Sequence, residues 1–77
     1  MIYLLEYDRE IGELISIKSF TEGERALAQE NRLAREIDQI GTGKEYEIVL
    51  LEAASEEALR KTHSRYFENL KELVTAF

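Results

Sequence analysis

The chain has 77 residues, which is enough for one hydrophobic core and therefore for a single α/β domain over residues 1–77. Sixteen acidic and ten basic residues give a net charge of −6, which disfavours binding to nucleic acid or to an anionic membrane, since both require positive charge on the protein. The sequence contains no cysteine, so disulfides, thiolate chemistry and cysteine-based metal sites are excluded.

The first predicted strand covers residues 2–8, IYLLEYD. Side chains alternate between the two faces of a strand, so the pattern separates two groups of residues. Ile2 and Leu4 share one face. The other face carries Tyr3, Leu5 and Tyr7. Both faces are therefore apolar, which is typical of a central strand.

A second strand is predicted at residues 13–20, ELISIKSF, after a charged turn that ends in glycine. A glycine accepts the positive φ angle that tight turns often require. So short a link predicts an antiparallel hairpin. A four-residue loop sets Leu4 opposite Ile17. It places Ile15 and Ile17 on the same face as Ile2 and Leu4, and it places Leu14 on the face of the tyrosines.

A capping box begins the first predicted helix, which covers residues 22–40. Thr21 can accept a hydrogen bond from the backbone N–H of Glu24, while the Glu24 side chain reaches back to the cap. Gly41 is a typical residue just beyond a helix end. The apolar positions recur every three or four residues, which predicts one buried helix face: Ala26, Leu27, Leu33, Ala34, Ile37 and Ile40.

The third predicted strand, YEIVLLEA at residues 46–53, is the most apolar run in the chain. Four aliphatic residues follow one another from Ile48 to Leu51, so both faces of this strand need cover. Ser55 then caps a second predicted helix, which extends to residue 77. Its stripe has 4-3-4-3-4 spacing and consists of Leu59, His63, Tyr66, Leu70, Leu73 and Phe77.

The element order β-β-α-β-α predicts an α+β two-layer sandwich. We expect a three-stranded sheet in the order 2-1-3 with two helices on one face, because the polar second strand suits an edge and the apolar first strand suits the centre. Residues 48–67, IVLLEAASEEALRKTHSRYF, resemble the strand-turn-helix half of small ferredoxin-like proteins. The resemblance implies a ferredoxin-like character for the fold and says nothing about function.

Two helices on one side leave the other face of the sheet open. We expect this open sheet face, or the edge of the third strand, to bind another protein, most simply a second copy of the chain. The binding residues expected on this surface are Tyr3, Leu5, Tyr7, Leu14, Tyr46, Val49, Leu51, His63 and Tyr66. The sequence thus favours a small protein-interaction module that forms a homodimer.

Two other functions stay open at this stage. A small-molecule binder or enzyme would use a cleft near His63 and the tyrosines, since His63 is the one side chain whose ordinary pKa lies near neutrality. A single histidine without partners at ligand spacing makes a weak metal or catalytic site, so no catalytic residue, metal or cofactor is assigned. An acidic inhibitor or antitoxin-like partner of a basic protein is the third possibility, and it rests on the net charge alone.

The expected location is the cytoplasm. The first ten residues, MIYLLEYDRE, lack the basic start of a signal peptide. No segment of the sequence approaches the roughly 20 apolar residues of a membrane span. We therefore expect neither a membrane nor a nucleic acid as a partner.

Overall fold

The computed structural model of the chain describes residues 1–43 and 45–67. The strands are β1 Ile2–Asp8, β2 Glu13–Phe20 and β3 Tyr46–Glu52, and the α-helices are α1 Arg25–Gln39 and α2 Glu56–Thr62. Two 3-10 turns, Glu22–Glu24 and Ser64–Tyr66, precede α1 and follow α2. Within the described ranges, no helix has the length and hydropathy needed to cross a membrane.

The three strands form an antiparallel sheet in the order β2-β1-β3. The predicted α+β class, strand order and pair of helices are confirmed, and the arrangement is consistent with the predicted ferredoxin-like character. β1 occupies the centre, and every residue of it except Tyr7 is buried. Its apolar side chains on both faces explain this position, because a central strand needs cover on both sides.

The predicted register between β1 and β2 is confirmed next to the turn and is wrong farther along the two strands. Tyr7 lies opposite Leu14, as a four-residue loop requires, but Ile17 lies opposite Leu5 rather than Leu4. The cause is a bulge in β2, where Ile15 has no partner in β1 and is exposed to solvent. An extra residue in one strand moves all the following side chains to the other face. Ile17 therefore shares a face with Leu5.

Asp8 holds the turn between β1 and β2, although the sequence pattern did not mark it. Its carboxylate accepts a hydrogen bond from the backbone N–H of Glu10 at 2.9 Å. Its carbonyl oxygen accepts one from the N–H of Gly12, also at 2.9 Å. Gly12 has a φ angle of 69°, which a residue with a side chain rarely adopts. This aspartate and glycine together fix the turn.

The two helices lie on opposite faces of the sheet, so the prediction that both cover one face is wrong. What we call the α1 face is a cluster of Ala28 with Ile2, Leu4, Phe20, Ile48 and Leu50. What we call the α2 face is a cluster of Leu59, Tyr66 and Phe67 with Tyr3, Leu5, Tyr7, Leu14, Ile17, Val49 and Leu51. β1 and β3 are apolar on both sides, so each face requires its own cover, and each receives one helix. The described chain therefore forms three layers and not the predicted two-layer sandwich, and neither sheet face is left without a helix.

Both predicted cap positions are confirmed, but the cap at Thr21 begins the 3-10 turn Glu22–Glu24, and α1 itself begins at Arg25, later than predicted. The Glu24 carboxylate accepts a hydrogen bond from the backbone N–H of Thr21 at 2.9 Å, within a capping box. The hydroxyl oxygen of Ser55 accepts one from the backbone N–H of Ala58 at 3.1 Å. Because each bond satisfies a polar group that a helix end would leave unpaired, helical turns begin directly after Thr21 and Ser55.

The second helix is shorter than the sequence predicts. α2 ends at Thr62, and His63 leaves the helical conformation with φ −125° and ψ 46°. The Thr62 hydroxyl donates a hydrogen bond to the carbonyl oxygen of Ala58 at 3.1 Å. Thr, His and Ser follow one another here and are all weak helix formers, which explains the end. The rest of the predicted stripe lies outside the described residues: Leu70, Leu73 and Phe77.

Candidate functional site: the outer face of helix α1

Helix α1 packs on the sheet through its small and polar side chains. Ala28 is completely buried, with 0% of its surface exposed. Arg35 and Gln39 lie on the same side of the helix, within about 40° of Ala28 at 3.6 residues per turn. Arg35 donates a hydrogen bond to one carboxylate oxygen of Glu6 at 2.8 Å, and Gln39 donates to the other at 3.2 Å. The contact with β1 is therefore largely ionic and polar.

The aliphatic residues of this segment face solvent. Leu33 and Ile37 are each 56% exposed, and Ile40, just after the helix, is 81% exposed. They project away from Ala28, and Leu27, on one flank of the helix, is also exposed. We call Leu27, Leu33, Ile37 and Ile40 the outer face of α1. The prediction that the apolar stripe of this helix packs against the sheet is wrong.

The buried carboxylate of Glu6 explains this orientation. Glu6 lies in the central strand and is only 4% exposed, and a buried charge must be paired to be tolerated. The hydrogen bond with Glu6 raises the pKa of Arg35 above its ordinary value, so the guanidinium stays charged. Near the start of α1, Arg25 pairs with Glu52 of β3. Ion pairs thus hold the polar side of the helix toward the sheet.

A signal for this arrangement is present in the sequence. Glu6 interrupts the apolar strand IYLLEYD, on the same face as Ile2 and Leu4. A carboxylate in the centre of a covered sheet requires a cation on the covering helix. Arg35 supplies it, and the spacing of the aliphatic residues alone does not indicate this requirement.

Most of the predicted binding residues meet on the α2 face. This group consists of Tyr3, Leu5, Tyr7, Leu14, Val49, Leu51 and Tyr66. Tyr3, Leu5 and Tyr66 are buried, and Leu59 of α2 packs among them. These residues form part of the core of a single chain, and their use as an interface stays a prediction.

Tyr66 is held at the margin of the α2 face by an aromatic and an ionic contact. Its ring meets that of Tyr7 edge to face, with centroids 5.4 Å apart. Arg65 donates hydrogen bonds to the Tyr66 hydroxyl at 2.6 Å and to both carboxylate oxygens of Glu47 at 3.1 Å. Burial raises the pKa of the Tyr66 phenol, so the group is neutral at physiological pH. Its contacts anchor the turn after α2.

His63 and Tyr46 lie on different sides of the sheet. His63 is partly exposed, and its ring centroid is 6.4 Å from that of Tyr66. Tyr46 lies opposite Asp8, at the end of the sheet that also holds Tyr7. Alternation along β3 directs Tyr46 to the α1 face, where it lines a small cavity of about 220 Å³. The sheet therefore separates the histidine from this tyrosine.

The edge of β3 is protected by charged side chains. The sheet order leaves β3 at an edge, as predicted. Glu47 near one end of β3 pairs with Arg65, and Glu52 at the other end pairs with Arg25. Charged side chains along an edge strand oppose pairing with a further strand. The edge is consequently less suited to association than its apolar sequence suggests.

Comparison of the chain with models of protein families, with curated proteins and with solved structures finds no match. The described part of the chain also contains no group of three or more His, Asp or Glu side chains placed to hold a metal ion. The strongest functional feature of these residues is the outer face of α1.

Proposed function

We propose that the protein is a cytoplasmic interaction module that forms a homodimer through the outer face of α1. The observation that carries the proposal is the exposure of Leu33, Ile37 and Ile40 in one row. Removal of apolar surface from water yields roughly 25 cal/mol per Å², so such a row favours association. The proposal keeps the homodimer expected from the sequence and moves its interface from the sheet to the helix.

The spacing of residues suits a second copy of the same helix. Positions 26, 30, 33, 37 and 40 follow one another at intervals of four and three, the spacing of helices that pack along a shared seam. We call this row the seam: Ala26, Glu30, Leu33, Ile37 and Ile40. A symmetric dimer presents the same surface twice, so a seam that complements itself closes the assembly at two copies.

The charge of Glu30 favours an antiparallel pair. In a parallel pair, Glu30 faces the Glu30 of the second copy, which is a like-charge contact. In an antiparallel pair centred on Leu33, the two Glu30 residues lie about 9 Å apart along the axis, and each packs beside Ile37 of the second copy. Its methylene groups can cover that isoleucine while the carboxylate stays in water. On the flank of this antiparallel pair, Glu36 of one copy lies beside Gln29 of the other copy and not beside another carboxylate.

The expected dimer is weak. α1 has 15 residues and is therefore about 22 Å long. One contact between two such helices buries less than the roughly 800 Å² per partner of a standard interface. We expect a dissociation constant on the order of 10–100 μM, as for transient complexes.

Sedimentation velocity tests this proposal over chain concentrations from about 5 to about 500 μM. The wild type should pass from monomer to dimer, and Ile37→Glu should remain a monomer because it places a charge in the seam. Ile15→Glu is the matched control, since Ile15 is also exposed but lies in β2. Circular dichroism checks that each variant is folded. A wild type that stays monomeric throughout, or equal dimerisation of Ile37→Glu, contradicts the proposal.

A further inference from the structure

Helix α1 lies over β1 and β3 and leaves a half-open cleft above β2. The volume of this cleft is about 430 Å³, within the range of roughly 300–1,000 Å³ that is typical of small-molecule sites. Leu4 and Ile48 form an apolar floor, and Arg35 lines the side formed by α1. The cleft is separate from the outer face of α1.

Charged side chains line two parts of the cleft. The ion pair between Glu6 and Arg35 lies between this cleft and the smaller cavity, because both residues line both spaces. Ser16 and Lys18 of β2 lie at the mouth and are exposed. Lys18 forms no ion pair with a described carboxylate within 4.0 Å, and its ammonium nitrogen is 5.4 Å from the centroid of the Phe20 ring.

The balance of charge in the cleft favours an anion. Two cations, Lys18 and Arg35, line it together with one carboxylate, Glu6. Glu6 already accepts hydrogen bonds from Arg35 and Gln39, so the lining charge that is not paired inside the cleft is that of Lys18, which also interacts electrostatically with Glu24 outside the lining. This local excess stands in a chain whose net charge is −6. An acidic group placed here gains an ion pair, and the Ser16 hydroxyl adds a second donor.

We propose that this cleft binds small amphiphilic carboxylates, with the carboxylate at Lys18 and Ser16 and the apolar body on Leu4 and Ile48. The volume accommodates a short aliphatic or aromatic acid. A half-open site leaves part of the ligand in water, so binding is expected in the millimolar to high micromolar range, on the order of 0.1–5 mM. The proposal does not depend on dimerisation.

An NMR titration with octanoate tests the site by following backbone amide shifts. We expect saturable shifts at Leu4, Ser16, Lys18 and Ile48, and much smaller ones with octylamine, which has the same tail and the opposite charge. Lys18→Ala should weaken octanoate binding roughly tenfold. Lys61→Ala on α2 is the matched control and should leave binding unchanged.

Three outcomes overturn the site. The first is equal binding of octylamine and octanoate, and the second is octanoate binding that Lys18→Ala leaves unchanged. The third is a set of shifts confined to Leu33, Ile37 and Ile40, which means that octanoate adsorbs to the outer face of α1. That last pattern also separates this site from the proposed dimer interface, because it would reject the cleft while leaving the dimer untouched.

Discussion

The Glu6 carboxylate lies in the middle of the sheet, 4% exposed, and two side chains of α1 donate hydrogen bonds to it. Removing the cation that pairs with a buried carboxylate lowers the stability of the fold much more than removing an exposed charge does. Arg35, by contrast, is 52% exposed and can turn to water if Glu6 is neutralised. The two partners of this ion pair should therefore respond differently to mutation.

We expect Arg35→Ala to lower the free energy of unfolding by about 3 kcal/mol, because it leaves the Glu6 charge buried without a cation. Glu6→Gln should cost only about 1–2 kcal/mol, since Gln keeps the shape and its partner reaches solvent. Arg60→Ala is the control, because its pair with Glu56 is exposed on both sides and should be worth less than about 0.5 kcal/mol. Urea unfolding measures all three, and equal costs for Arg35→Ala and Arg60→Ala would contradict the role given to Glu6.

Helices α1 and α2 pack against the sheet through different side chains: a large aliphatic one in α2, and small and polar ones in α1. α2 buries Leu59 completely, whereas α1 buries Ala28 and presents Leu33 to solvent. Loss of a buried leucine creates a cavity, while loss of an exposed one removes little packing. The same substitution in the two helices thus tests the orientation of α1.

Leu59→Ala should destabilise the chain by about 3 kcal/mol. Leu33→Ala should change the free energy of unfolding of the monomer by less than about 0.5 kcal/mol. Circular dichroism in urea at a few micromolar protein, where the proposed dimer dissociates, provides the comparison. If Leu33→Ala costs as much as Leu59→Ala, the aliphatic side of α1 packs on the sheet and the orientation described above is wrong.

The start of α1 should weaken in acid. The hydrogen bond from the backbone N–H of Thr21 lowers the pKa of Glu24 below its ordinary value of 4.5. A carboxylate with a lower pKa in the folded state stabilises the fold above its unfolded pKa, and this stabilisation disappears as the pH falls through the folded pKa. The wild type should consequently lose stability between about pH 5 and pH 3.

Glu24→Gln carries no titrating group at this cap, so its urea midpoint should fall less than that of the wild type over the same pH interval. Glu36→Gln on the exposed part of α1 is the control and should behave as the wild type does. A loss on acidification as large in Glu24→Gln as in the wild type would show that the cap does not contribute.

The sequence predicts the elements of this fold well because their signals are local. The alternation in residues 2–8, the apolar run from Ile48 to Leu51 and the caps at Thr21 and Ser55 each determine one element without reference to the others. The order of the strands follows from their difference in polarity, since only the first and third strands are apolar on both sides.

The features that the sequence did not predict depend on contacts between elements. The side of α1 that meets the sheet depends on Glu6, whose need for a cation outweighs the aliphatic stripe. The register beyond the turn depends on the bulge at Ile15, which the length of the loop does not reveal. The predicted site was placed on the sheet because both helices were expected on one face, and the exposed outer face of α1 follows only once that arrangement is corrected.

At the scale of the whole molecule, apolar surface is distributed unusually for so small a domain. The sheet is covered on both sides, while Leu33, Ile37 and Ile40 remain on the outside of the covering helix. A small domain has a narrow margin of stability and often gains from self-association. Self-association through the outer face of α1 can provide this chain with added stability. In an antiparallel pair, Leu33 lies at the centre of the interface.

Because the sequence contains no cysteine, a single introduced cysteine provides the most direct test of the proposed dimer interface. In an antiparallel pair centred on position 33, the two copies of that residue approach within the roughly 4.4–6.8 Å between Cα atoms that a disulfide spans. Mild oxidation of Leu33→Cys, followed by non-reducing electrophoresis at increasing protein concentration, should give a covalent dimer rapidly, and Ile15→Cys should give little. Cross-linking of Leu33→Cys no faster than that of Ile15→Cys would contradict the proposed interface.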